Sequence, residues 1–428
     1  MSSTPSSSRS RKKKPPTYDT SNDSPFRTAE RYWKSRATNP DLRRALSVEA
    51  IEWEESDQSG RRKGVWRGDE GNELECWMVR VGELQEMGQK RWKGKAKAVE
   101  GDIEEQDYAV IIPAIPGLVL LPSLLPPSLQ RCLAIESLRH SVLPNLTSLS
   151  AHYSLPAGGL WHAWETGLGD EVVPLLEVQP KGAPRRTRID FEPVTKENWM
   201  TQDKERERER VEAEGKKEVT VKELLSRLRW TTIGWSYNWT SKTYDFDRPK
   251  TPLPPLTYRC CRDVIRAIPW NSVFGPDSVS TQSEEATTSE ATESEDWKRW
   301  SNEYEPEAGV FNFYQLKDSL TAHIDQSEVD AVRPLVSFSI GHSAIFLVGG
   351  PTRDTPPLAI RLDSGDGLIM SGHKGRRVFH GLPRVIADSL PLYLAPEHQE
   401  QGEEDWRLFG EYLQAGARIN INVREVGI

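Results

Sequence analysis

From about residue 108 the apolar positions of this chain gather into short runs broken by Gly and Pro, the pattern of strands that end in tight turns. The longest uncharged apolar run, Tyr108 to Gln130, holds five prolines: Pro113, Pro116, Pro122, Pro126 and Pro127. Those prolines argue against a membrane-spanning helix and leave a strand near Gly117–Leu121, a turn, and a helix over Ser128–Arg139. Pro334–Gly350 carries two apolar runs separated by Gly341-His342-Ser343, and Leu358–Gly372 repeats the pattern around Ser364-Gly365-Asp366-Gly367. Arg376–Val385 and Ala417–Val426 add further strands. Many short strands with Gly-rich turns predict an α+β domain whose core is a closed or double-sheet β architecture, a jelly roll (double-stranded β-helix), with flanking helices.

Outside that core the pattern fades. Residues 1–27 are rich in Ser, Pro and basic side chains and read as a disordered basic tail, with Arg9–Lys14 serving as a nuclear import signal, a nucleic-acid-binding tail or simply a solvated run. Residues 28–107 mix helical patches with charge and show no chemistry, a poorly defined N-terminal extension. The main domain spans 108–428, interrupted by charged, disordered insertions near 201–218 and 277–296.

Composition sharpens the picture in two places. The hydrophobic fraction, 36%, is low for 428 residues, which fits a compact core carrying long polar insertions. The formal net charge of -8 is the wrong sign for a nucleic-acid binder, yet Asp277–Asp296 alone holds seven acids and no Lys or Arg. The rest is close to neutral and free to present a basic face. Four cysteines (Cys76, Cys132, Cys260, Cys261) have no metal-like spacing and read as reduced thiols in an intracellular protein. Nucleus and cytoplasm are the favoured compartments; the first 18 residues contain no acid, a property shared by mitochondrial presequences.

With eight histidines the search for a metal site is short. His323-Ile324-Asp325 sets an imidazole and a carboxylate two positions apart, on one face if the segment is a strand. His380, in another strand-like segment, supplies a third ligand. Two His and one carboxylate form a facial triad that leaves coordination positions open. His398-Gln399-Glu400 has a related form but lies in an acidic loop. In the last strand Arg418, Asn420, Asn422 and Arg424 alternate with Ile419, Ile421 and Val423. With the apolar face on the core, the polar stripe would line a pocket, and an arginine fork there suits a carboxylate. A dicarboxylate chelating a metal at one end, such as 2-oxoglutarate, needs such a partner at its other end.

Taken together, Asn312-Phe-Tyr314, His323-Ile-Asp325, His380-Gly381 and Arg418-x-Asn420-x-x-x-Arg424 resemble the AlkB family of nucleic-acid dioxygenases. Leu228–Trp239 is similar to that family's base-recognition segment, and Pro334–Gly350 followed by Arg353-Asp354 to its central hairpin. Pro144–Leu149 and Met370-Ser371-Gly372 resemble the AlkB homologue one branch, in its fungal form. The resemblance covers roughly residues 110–428 without the charged insertions.

It implies Fe(II) on His323, Asp325 and His380, with 2-oxoglutarate and O2 as cosubstrates. Asn312, Tyr314 and Arg418 would hold 2-oxoglutarate, Arg418 at the distal carboxylate, and Asn420 would line the same pocket. Arg424 would lie near the metal-side carboxylate or orient Asp325. Trp230 would stack on a flipped base, and Tyr237 and Arg353 would contact a DNA or tRNA substrate carrying methylated bases. The residues alone also allow plainer roles: Trp230, Trp235 and Trp239 as core, Arg353 in a surface ion pair with Asp354, Arg376 and Arg377 as phosphate-binding or solvated, and His342 and His373 as exposed turn residues. The implied activity is oxidative demethylation of N-methylated bases, releasing formaldehyde and succinate. A 2-oxoglutarate-dependent protein hydroxylase, a non-catalytic nucleic-acid-binding protein on the same scaffold and a lysine-dependent lyase stay open, as does the oligomeric state.

Overall fold

The computed structural model describes residues 23–37, 39–68, 72–85, 108–176, 219–238, 243–275, 278, 295–325, 327–328, 332–398 and 405–427. The run Arg9–Lys14, the insertion near 201–218, most of 277–296 and Glu400 lie outside them, as does Trp239. Within them the strands are β1 (Ile51–Ser56), β2 (Arg62–Arg67), β3 (Glu73–Arg80), β4 (Tyr108–Ile111), β5 (Leu118–Leu121), β6 (Val172–Val173), β7 (Val219–Thr220), β8 (Trp230–Gly234), β9 (Ser236–Asn238), β10 (Thr243–Asp245), β11 (Ala308–Tyr314), β12 (Leu320–His323), β13 (Leu335–Gly341), β14 (Ala344–Val348), β15 (Leu358–Leu362), β16 (Gly367–Met370), β17 (His380–Val385) and β18 (Arg418–Arg424). A ten-stranded sheet runs β1-β2-β3-β4-β5-β16-β13-β18-β11-β8, and a four-stranded sheet runs β12-β17-β14-β15. The pairings around the site are antiparallel. No described helix is long and apolar enough to cross a membrane.

The alternation in β18 sets the layering. Ile419, Ile421 and Val423 are fully buried and pack with Phe311, Phe313, Val336 and Phe338 against Leu133 and Ala134 of the helix Pro127–Arg139 and Val264 and Ile265 of the helix Pro255–Ala267. Both helices begin with Pro at the first turn, where its fixed φ suits the helix and its missing N–H costs nothing. The opposite face of the large sheet meets the small one, where Leu335, Leu368 and Met370 pack on Phe346, Val348, Ile360 and Leu362. A third apolar cluster covers the far side of the small sheet, joining Ile345, Leu347 and Ala359 to Phe26 and Trp33. β14 is therefore buried on both faces, which is why its sequence Ala-Ile-Phe-Leu-Val does not alternate.

Several expectations change. Pro334–Gly350 was expected as a hairpin, but β13 and β14 lie in different sheets, and so do β15 and β16. The chain crosses from sheet to sheet at Gly341, whose φ of +95° and close approach to the Ala417 carbonyl both need a missing side chain. A local apolar-turn-apolar pattern is the same for a hairpin and for an inter-sheet corner. The helix Pro25–Lys34 starts inside the stretch read as tail, and β1–β3 of the supposed extension continue the large sheet through β4. No disulfide joins any of the four cysteines.

Candidate active site

His323 ends β12 and His380 opens β17, directly opposite each other in register, with ring centroids 4.4 Å apart. Asp325 reaches the same point from the loop after β12, not from a strand face as its spacing suggested. The side-chain donor atoms of His323, Asp325 and His380 all lie within 4.8 Å of one another. Each imidazole has its Nδ1 against a backbone carbonyl, Thr321 at 3.0 Å and Val378 at 3.1 Å. Those contacts favour the Nδ1–H tautomer and leave both Nε2 atoms with a lone pair for a metal. Burial, with His323 nearby, pulls His380 down to about 4, so the ring is neutral at neutral pH, the state that ligates. Burial works against ionisation of Asp325, yet Arg424, His380, His323 and Arg376 hold it well below the usual carboxylate range.

Behind Asp325 sits a charge cluster in which sequence reading places Arg424 but not Glu328. Arg424 Nη1 lies 3.1 Å from Asp325 Oδ2 and 2.5 Å from Glu328 Oε1, and its Nη2 donates to Asn422 Oδ1 at 3.0 Å. Arg376, 1% exposed, stands 3.4 Å from Glu328 Oε2 and 3.8 Å from Asp325 Oδ2. Arg424 is thus in contact with Asp325 and also lines the cavity, positions that suit either of its two expected placements. Arg376 is not solvated. Arg377 donates to the Asp325 carbonyl at 3.3 Å. Burial pushes Glu328 up, but Arg424 and Arg376 more than offset it and keep the carboxylate ionised. Glu328 follows Asp325 by three residues in a stretch without periodicity, so nothing in the sequence singled it out.

The polar stripe of β18 continues away from the triad. Tyr314 faces Arg418 and Asn312 faces Asn420 across the β11 ladder. Asn312 Nδ2 donates to Asn420 Oδ1 at 3.2 Å, and Asn420 Nδ2 donates to Ser337 Oγ at 2.8 Å. Arg418 is fully buried; its Nη1 donates to the His342 carbonyl at 2.6 Å and its Nη2 to Ser339 Oγ at 2.6 Å, while Nε has no partner among the described residues. Burial lowers Arg418 to about 10, which still leaves it charged at neutral pH. His342 is 4% exposed, a buried corner residue and not the exposed turn residue expected.

Triad and stripe share one cavity of about 790 Å³, within the range of small-molecule and cofactor sites. Asn312, Tyr314, Arg418, Asn420 and Arg424 line it with the triad. Tyr237 lines it too, its hydroxyl 2.8 Å from Ser327 Oγ, and Tyr244 of the paired strand β10 packs edge-on against it at 5.3 Å. Arg353 reaches the rim; it donates to the Ala322 carbonyl at 3.0 Å and covers the Phe379 ring, and no described ion pair links it to Asp354. Trp230 is not among the lining residues. It sits opposite Asn312 on the edge strand β8, on the same face but one strand further out. Tyr244 was missed because its segment, Thr243–Asp245, is too short to show a period. Ser24 and Arg27 also line the cavity.

The donor set fits the groups the resemblance implies. Two neutral imidazoles and a carboxylate suit Fe(II), and a buried, charged guanidinium with an unpaired Nε at the other end of the cavity suits one carboxylate of 2-oxoglutarate.

The comparisons agree with this geometry. The family described as the 2OG-Fe(II) oxygenase superfamily matches residues 193–424. The Arabidopsis thaliana DNA N(6)-methyladenine demethylase ALKBH1A is 31% identical over 210 residues, 49% of this chain and 52% of its own. The Homo sapiens nucleic acid dioxygenase ALKBH1 is 35% identical over 216 residues, 47% of each chain. The Schizosaccharomyces pombe tRNA demethylase abh1 is 30% identical over 318 residues, 73% of this chain and 79% of its own. The match thus spans about half the length of the plant and human relatives and more of the fission-yeast one. With the family matched over more than half its length, this chain belongs to the AlkB family of the 2OG-Fe(II) oxygenase superfamily.

Proposed function

We propose that this protein is an Fe(II)- and 2-oxoglutarate-dependent oxidative demethylase of N-methylated bases in DNA or tRNA, with formaldehyde and succinate as products. The observation that carries the reading is the convergence of the triad and of Arg418 on one cavity with aromatic side chains at its wall. The names of the plant, human and fission-yeast relatives support a nucleic-acid substrate without choosing between DNA and tRNA. The strand order supports a double-stranded β-helix: β11 to β18 divide into the quartets β16-β13-β18-β11 and β12-β17-β14-β15, with the triad at the rim of the smaller.

Bound Fe(II), with 2-oxoglutarate and O2, supplies the oxidising chemistry that attacks the N-methyl group. The residues of the chain do the rest. His323 and His380 would hold Fe(II) through their Nε2 atoms, since Nδ1 of each is fixed on a carbonyl, and Arg424 and Arg376 would keep Asp325 ionised and in place as the third ligand. Arg418, with Tyr314 and Asn312 lining the same cavity, would meet the distal carboxylate of 2-oxoglutarate with a positive charge and so set the direction of the cosubstrate. A methylated base must leave its stack to enter; Tyr237 and Tyr244 offer it an aromatic wall, and Arg353 a cation at the rim. Trp230, one strand outside the lining, suits a neighbouring nucleotide better than the reacting base.

The reading is tested by offering methylated DNA, methylated tRNA and methylated peptides side by side and following formaldehyde. Release from an oligonucleotide and not from peptide is expected. Succinate formed with peptide and without formaldehyde would favour the protein hydroxylase, and tight oligonucleotide binding without product would favour a binding protein on this scaffold.

A further inference from the structure

We infer that Glu30, on the N-terminal helix Pro25–Lys34, is a positioning residue of the metal centre. The inference rests on His323 being a metal ligand. It begins with an irregularity in the sheet. β12 and β17 pair at Leu320–Leu382 and again at His323–His380, but the register slips between them. A bulge of this kind leaves backbone groups without ladder partners. Ala322, fully buried and next to His323, lies in it.

Side chains from elsewhere take up both of its peptide groups. Glu30 Oε1 accepts the Ala322 N–H at 2.7 Å, and Arg353 Nη2 donates to the Ala322 carbonyl at 3.0 Å. Glu30 is 5% exposed, and its second oxygen accepts from Arg27 at 3.0 Å. A buried carboxylate held from both sides is a fixed point, since moving it would leave a buried N–H or a buried charge unmatched. The helix that carries it is fastened along its length. Ser24 caps it, Phe26 N–H donates to the Arg353 carbonyl at 3.1 Å, and Phe26 and Trp33 are buried against Ile345, Leu347 and Ala322. At its far end Arg384, on the strand that opens with His380, donates to the Ser35 carbonyl at 2.7 Å. Both histidine-bearing strands are thus tied to one helix, which lies well outside the matched segment 193–424.

The test is the affinity of the full-length protein for Mn(II) alone, read from the loss of the free-ion EPR signal. Glu30→Gln, Glu30→Asp and Glu30→Ala are compared well below their unfolding temperatures. Glu30→Gln keeps an acceptor at the right reach and is expected to bind like the wild type. Glu30→Asp keeps the charge but is one carbon short, and is expected to bind roughly tenfold more weakly, in the range typical of lost partners behind a metal ligand. Glu30→Ala should be at least as weak; if it does not fold, the Gln and Asp pair decides. Wild-type affinity in a folded Glu30→Asp would overturn the inference, because a merely structural role would lower stability and leave Mn(II) binding alone. A wild type that binds no Mn(II) would instead remove the metal reading, and the positioning role with it.

Discussion

At the scale of single residues, the guanidinium groups divide the labour of the cavity. Arg418 and Arg424 sit six residues apart on one strand face and line one cavity, yet Arg418 is held by the His342 carbonyl and Ser339 whereas Arg424 is spent on Asp325 and Glu328. Arg418→Ala should therefore raise the 2-oxoglutarate concentration needed for half-maximal turnover about a hundredfold or more, the scale of a lost buried charge partner, with Mn(II) affinity little changed. Arg418→Lys should restore little, because a point charge does not reproduce the fork; full rescue by lysine would speak against the pocket assignment. Arg424→Ala should behave differently. It leaves Asp325 and Glu328 with Arg376 as their remaining buried cation and is expected to cost about 3 kcal/mol of stability, measurable by denaturant unfolding. His323, Asp325, His380, Arg418 and Arg424 were legible in the sequence because their spacing is itself a chemical pattern. Glu328, Arg376 as a buried partner, and Tyr244 were not, because their roles arise only from contacts between distant segments.

Asp366 carries a pH effect at the same scale. Burial, with Asp363 nearby, pushes its carboxyl up to about 7, above the ordinary value. An acid raised in the folded state is protonated more readily there than in the unfolded chain. Its contribution to stability is thus complete below about pH 4 and is lost as pH rises toward 7. Asp366→Asn removes that ionisation, so its stability should fall less over this window than that of the wild type, by roughly 1–3 kcal/mol. Equal slopes for the two proteins in urea unfolding at pH 4, 5.5 and 7 would contradict the assignment.

At the scale of elements, alternation told which strands have one polar face, but not which sheet each strand joins. β18 was readable because its polar and apolar faces are both extreme. β14 was recognisable as a strand, but its uninterrupted apolar sequence hid the fact that it separates two different cores. The corner at Gly341 looked like a hairpin turn for the same reason. A side chain there meets the Ala417 carbonyl at positive φ, so Gly341→Val should cost about 2 kcal/mol or more. A thermal midpoint unchanged from the wild type would show that the corner is looser than its geometry implies. By contrast Ile421→Ala, in the main core, should cost about 2–5 kcal/mol.

At the scale of the whole molecule, the candidate site's cavity is built by more of the chain than the motifs indicate. The motifs all fall between Pro144 and Arg424, whereas Ser24 and Arg27 line the same cavity and β1–β3 extend the large sheet. The sequence of residues 1–107 hid this because a short helix and edge strands that dock on an existing domain need little periodicity of their own. Family membership explains the core; the N-terminal segment shows how this chain completes it.

The most direct test of the central claim is the stoichiometry of turnover on a methylated oligonucleotide with Fe(II) and 2-oxoglutarate. Formaldehyde and succinate are expected in equal amounts from the wild type, and neither from Asp325→Ala at matched folding. Formaldehyde from Asp325→Ala at the wild-type rate, or a wild type with Fe(II) bound that releases neither product from any methylated nucleic acid, would contradict it.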